Sequence, residues 1–215
     1  TVNGVTASNT ANIAGTTLLD GSGEVEFSSG ASVFTNGLTV QADDLVDIDV
    51  AITTNAGNLS IDGDADNAAD TNDKVDIATG LTLTTAGLMT LDATTGGIAG
   101  VVLTLNAKEG VTITDALTTT GALTVNADTD ADDNTGTFTT AGAVSAGSNA
   151  ISITANDVVL GSTLSSGGAL TTRTDSDSTD GVGLGATTVS NGLNLSGAEL
   201  QNITSTGFEL SLIHI

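Results

Sequence analysis

The chain predicts an all-β fold, a right-handed parallel β-solenoid of roughly 9–10 coils of about 22 residues each, and three observations carry that expectation. The first is a phrase written three times. Leu38-Thr39-Val40, Ala42, Ile48, Ile52, Gly57, Leu59 and Ile61 run into Asp62-Gly63-Asp64-Ala65-Asp66. The order returns as Leu103-Thr104-Leu105, Ala107, Ile113, Leu117, Gly121, Leu123, Val125 and Asp128-Thr129-Asp130-Ala131-Asp132. It returns again as Ile151-Ser152-Ile153, Ala155, Leu160, Leu164, Gly168, Leu170, Thr172 and Asp175-Ser176-Asp177. The second is the period-two alternation of short segments, and the third is a composition suited to a thin, repeated core.

The strands follow in chain order. Val75-Asp76-Ile77, Leu81-Thr82-Leu83, Val111-Thr112-Ile113, Leu123-Thr124-Val125, Ile151-Ser152-Ile153 and Leu193-Asn194-Leu195 each set apolar residues on one side and a small polar residue on the other. Such alternation marks half-buried strands. Thr-Ala-Gly, Thr-Thr-Gly, Asn-Gly and Gly-Gly between them are turn signals. Leu38 and Leu103 lie 65 residues apart, and Leu103 and Ile151 lie 48 apart. These intervals fit three coils of about 22 residues and two of about 24, each with three short strands.

There are 27 Gly, 4 Phe and no Pro, Cys, Trp or Tyr, yet 39% of the residues are hydrophobic. That apolar content argues against disorder. Stacked coils turn interior positions into ladders of Leu, Val, Ile and Ala, where large aromatic rings do not fit. A β-sandwich, the rival all-β arrangement, calls for longer strands and aromatic core residues. The residues read as one repetitive unit over 1–210, an internal segment of a longer chain. Ser211 to Ile215, with the single His, break the composition and read as a foreign tail.

Twenty-six acidic residues face three basic ones, a formal net charge of −23. Such a surface repels phosphate backbones and anionic membranes, which argues against nucleic-acid binding, and it attracts divalent cations. No stretch has the length of a membrane-spanning apolar segment, so membrane insertion is not expected.

From Gly121 to Leu170, and again over Ser196 to Leu210, the chain resembles the β-strand repeats of filamentous-haemagglutinin-like proteins, the giant secreted adhesins of bacteria. The resemblance spans about Leu38 to Leu210 and rests on low-complexity motifs. It implies an extracellular or cell-surface parallel β-helix serving as stalk, fibre or adhesive surface. Self-association into fibres and contact with other surface or matrix components are the partners it implies. It carries over no catalytic residue.

Three acidic loops follow the repeated phrase, and the spelling places them at equivalent positions. Their carboxylates are Asp62, Asp64 and Asp66; Asp128, Asp130 and Asp132; and Asp175, Asp177 and Asp180. Carboxylates at alternate positions suit Ca²⁺, which takes 6–8 oxygen ligands at about 2.3–2.6 Å. The same residues also make ordinary solvated turns, because Asp, Asn and Gly favour them. Asp47 and Asp49 alternate onto an outer face. Arg173 beside Asp175 and Lys74 beside Asp73 compensate charge locally.

Parallel β-helices also serve carbohydrate-active enzymes, the polysaccharide lyases and glycoside hydrolases, and a carboxylate pair can hydrolyse sugars. Such sites use aromatic platforms and basic residues, and this chain has no Trp, no Tyr and a single Arg. The expectation is therefore a non-enzymatic structural protein.

Overall fold

A computed structural model describes residues 1–69, 71–130, 135–174, 181–190 and 192–211. Strand β1 (Val2–Asn3) and helix α1 (Ala7–Thr10) precede the first full turn, β2 (Thr17–Gly21), β3 (Glu24–Ser28) and β4 (Ser32–Phe34). The next turns are β5 (Leu38–Ala42), β6 (Leu45–Ile48), β7 (Ile52–Thr54), then β8 (Leu59–Asp62), β9 (Lys74–Ile77), β10 (Leu81–Thr85). They continue with β11 (Met89–Asp92), β12 (Ile98–Gly100), β13 (Leu103–Ala107), then β14 (Val111–Ile113), β15 (Leu117–Thr119), β16 (Leu123–Asn126). The last are β17 (Phe138–Thr140), β18 (Val144–Ser145), β19 (Ile151–Thr154), then β20 (Val158–Leu160) and the long β21 (Leu164–Arg173). Beyond them lie β22 (Gly181–Gly185), β23 (Gly192–Ser196), α2 (Gly197–Asn202) and β24 (Ile203–Ser211).

Every third strand stacks in parallel on its predecessor, which makes the molecule a parallel β-solenoid. One face is the seven-stranded sheet β2-β5-β8-β11-β14-β17-β20. The other two faces belong to one fifteen-stranded sheet that climbs through β3, β6, β9, β12, β15 and β18 and descends through β19, β16, β13, β10, β7 and β4. They join at β21, which turns the corner within one strand, with a register shift between Ser166 and Ala169. Seven full turns result, with β1 paired below β3 and β24 paired above β21. The count is lower than the sequence suggests because β22 and β23 pair in a separate two-stranded sheet and two turns are enlarged. From β1 to β24 the stack rises roughly 40 Å at about 4.8 Å per rung.

Burial follows the alternation. Leu38, Leu59, Met89, Val111 and Phe138 form one interior ladder, each fully buried. Leu103, Leu123, Ile151 and Leu170 form another on a different face. Leu38 and Leu103 are thus out of phase by a face, although their phrases are spelled alike. The seven-stranded face and the face of β10, β13 and β16 both use apolar-Thr-apolar strands, as in β11, β14, β13 and β16, so local pattern does not say which of the two a strand joins.

Polar residues inside the corners pair with one another. The Thr54 and Thr85 hydroxyls lie 2.7 Å apart, and Thr85 Oγ1 donates to Gly57 O at 2.8 Å. Outside, Thr82, Thr104, Thr124, Ser152 and Thr171 stand in register. Beside them run Thr53, Thr84, Asn106, Asn126 and Thr154, a hydroxyl and amide wall that meets charge only at its upper end, at Arg173 and Glu209.

The sequence shows no amphipathic cap at Thr1 or after Phe208; the structure places one earlier, at α2. Ser196 Oγ accepts from Glu199 N, the reciprocal arrangement that starts a helix. Glu199 Oε1 then accepts from Leu160 N at 3.1 Å, and Asn202 Nδ2 donates to Leu160 O at 3.0 Å. Those bonds cover the outer edge of β20. Ser211 ends β24 in register with Arg173. The rest of the tail lies outside the described residues.

Candidate functional site

The best-defined polar site stands where the turn after β8 is enlarged. Along β8, Leu59 and Ile61 point inward, which leaves Ser60 and Asp62 outside. Gly63 follows, and a Cβ there would lie 2.2 Å from Lys74 O, so the two feet of the 63–73 insertion touch through backbone. Asp64 N donates to Asp62 Oδ1 at 3.1 Å, and Ala65 N donates to Ala42 O at 2.9 Å, which fixes the first foot on the coil below.

These bonds send the three carboxylates of the first loop in different directions. Asp62 joins the outer face. Asp66 is exposed, and its Oδ1 accepts from Ala68 N at 2.9 Å. Asp64 turns inward and is fully buried. Its Oδ2 accepts from Thr95 N at 2.8 Å and lies 2.9 Å from Thr95 Oγ1. The same hydroxyl lies 2.8 Å from Oδ2 of Asp73, itself 5% exposed, on the second foot. Asp64 Oδ1 is buried and has no hydrogen-bond partner. An open cavity of about 410 Å³ adjoins this cluster, lined by Thr71, Asn72, Asp73, Lys74 and Thr95 among others.

Around the corner, Asp62 stacks in register with Asp92, and Asp115 reaches the same place from the next coil, where its Oδ2 accepts from Ala93 N at 3.3 Å. Burial, a hydrogen bond to Asp115 and the charges of Asp62 and Asp115 push the Asp92 carboxyl up from 3.8 to about 7. Burial also raises Asp62, followed by the charges of Asp64 and Asp115, against the opposing bond from Asp64 N. Lys74 supplies no charge to this ladder, since its Nζ bonds Asp76 at 2.7 Å. That pairing replaces the expected one with Asp73. Asp47 lies on the outer face in register with Glu26 and Asp76, and its pKa is raised by burial and by Asp49 and Asp76.

The second acidic loop lies at another corner, between β16 and β17. Asp128 is buried, and its N–H donates to Asn126 Oδ1 at 3.3 Å. Asp130 pairs with Lys108 of the coil below at 3.2 Å. Asp132 lies outside the described residues, as do Asp175, Asp177 and Asp180 of the third loop. Equivalent positions for the first two loops, expected from spelling, do not occur.

Asp73, Thr95, Asp92 and Asp115 are site residues that the sequence does not single out. The Asp62–Asp92 pair has a signal in retrospect, because Leu59-Ser60-Ile61-Asp62 and Met89-Thr90-Leu91-Asp92 are spelled alike. Asp73 and Thr95 have none, since no spacing rule joins a residue 9 positions downstream to one in the next coil.

No family model, no curated protein and no solved structure matches the chain.

Proposed function

We propose that the chain is a rod-like structural segment of a secreted bacterial surface or matrix protein of the filamentous-haemagglutinin-like kind. It works as a stalk, spacer or adhesive wall outside the cell. The observation that carries this reading is the in-register stacking of small aliphatic residues through seven turns. Each strand is bonded along the rod axis to the next, so axial load is shared by parallel ladders, and each buried Leu, Ile or Val adds roughly 1.5–3 kcal/mol. The Thr and Asn face supports a hydrated, hydrogen-bonding wall. The charge of −23 keeps rods apart, and Ca²⁺ bridges them laterally through outer carboxylates.

Electron microscopy of the purified chain, paired with a polysaccharide-cleavage assay, tests the reading. Discrete rods or bundles with no release of reducing ends agree with it. Release of reducing ends from any polysaccharide would overturn it in favour of a carbohydrate-active β-helix. Self-association unchanged between millimolar Ca²⁺ and EDTA would remove the bridging component.

A further inference from the structure

We infer that Asp64, Asp73 and Thr95 form a calcium site inside one corner of the rod, fastening the 63–73 insertion to the coil above it. The carboxylates come from both feet of the insertion, and the hydroxyl comes from the turn after β11. Their placement is enforced by backbone contact, because a Cβ at Gly96 would lie 1.7 Å from Asp73 O. Thr95 Oγ1 has one hydrogen and two carboxylate oxygens at 2.9 and 2.8 Å, so it donates to only one of them. The other contact sets lone pair against lone pair.

A second observation points to a ligand independently of that crowding. Asp64 has no exposed surface, and its Oδ1 has no hydrogen-bond partner. A dry carboxylate oxygen without a donor or cation is strongly unfavourable. The nearby ammonium of Lys74 is turned to Asp76 at 2.7 Å and does not serve it.

The donor chemistry selects the ion. Every ligand atom is a hard oxygen, and no imidazole or thiolate is present, which disfavours the softer transition metals. Asp73 and Thr95 line the adjoining cavity of about 410 Å³, which gives water a path to the site from that side. Ca²⁺ accepts 6–8 oxygens in irregular geometry, whereas Mg²⁺ demands a near-ideal octahedron. Asp66 is excluded, since it is exposed and engaged with Ala68 N. The site joins two coils of one molecule and does not depend on whether the rod is a stalk. It also differs from lateral bridging, which needs ions on the outer surface.

Titration of the EDTA-treated chain with CaCl₂, followed by calorimetry and by amide chemical shifts, tests the inference. The expected result is one saturable site with a dissociation constant on the order of 10⁻⁴–10⁻³ M. Amide shifts should centre on Asp64, Thr95 and Gly96. Asp64→Asn, which keeps the side-chain shape, should weaken the site by about tenfold or more, and Asp66→Asn by less than about twofold. Equal weakening by the two variants would overturn the inference. The unmutated protein gives a separate check that does not depend on Asp64→Asn folding. Shifts spread over all acidic loops, or no binding up to about 10 mM Ca²⁺, would also overturn it. Rods that persist in EDTA leave the stalk reading intact under either result.

Discussion

Two insertions enlarge the coils, at residues 63–73 and 127–137, and they share a spelling: Asp62-Gly63-Asp64-Ala65-Asp66 and Asp128-Thr129-Asp130-Ala131-Asp132. Their carboxylates meet different fates. In the first, Asp64 folds under Thr95 of the following coil and is fully buried. In the second, Asp130 reaches back to Lys108 of the preceding coil and stays partly exposed. The first follows the seven-stranded face and the second leads into it. In a solenoid the partner of a loop is whatever the adjacent coil presents at that corner. Phase around the axis therefore decides what an acidic run does.

The sharpest way to break the first insertion is at its backbone contact. Gly96→Ala places a methyl 1.7 Å from Asp73 O, so the 93–97 turn and the second foot must part. The expected loss is about 1–3 kcal/mol or more in chemical denaturation, with amide shifts confined to this corner. Thr95→Val comes next. It removes the hydroxyl between Asp64 and Asp73 while keeping side-chain volume, and it should cost about 1–3 kcal/mol by the same measurement.

The acidic ladder beside this corner gives a pH prediction. Asp92 is raised from 3.8 to about 7, and Asp62 is raised as well. The folded protein keeps these protons at pH values where the unfolded chain has already released them. Stability therefore falls as pH rises from about 4 to about 7 and levels off above that. Thermal melts across this range should show the fall. Asp92→Asn should flatten it and raise stability at pH 8 by about 1–2 kcal/mol, allowing for solvent screening of this half-buried group. The smallest effect belongs to the second insertion. Lys108→Ala breaks a partly exposed pair and should cost about 0–1 kcal/mol.

The solenoid class was legible because apolar-Thr-apolar strands and Gly-rich turns state it directly, from Leu81-Thr82-Leu83 to Ile151-Ser152-Ile153. Phase was not. Leu38 stacks on Leu59 after 21 residues, but Leu59 reaches Met89 only after 30, because the insertion consumes chain without advancing the wall. A single average coil length therefore carries Leu38 to Leu103, on the wrong face. Part of the site was legible for a similar reason. Asp64 stands out by its neighbours in sequence, whereas Asp73 and Thr95 join it only through the stacking of coils. Likewise α2 looks too short to matter until Glu199 and Asn202 are seen on the edge of β20.

The central claim is that residues far apart in sequence occupy successive rungs of one ladder, and spin-label distances test it most directly. Thr39, Ser60, Thr90, Thr112, Thr139 and Val159 stand in register on one outer face. With one label at Thr39 and the second moved to Thr90, Thr139 and Val159 in turn, backbone separations of about 10, 19 and 24 Å are expected. A steady rise of about 4.8 Å per rung, after allowance for the label arms, is the result the solenoid requires. Distances that fail to rise in that order would contradict both the fold and its phase.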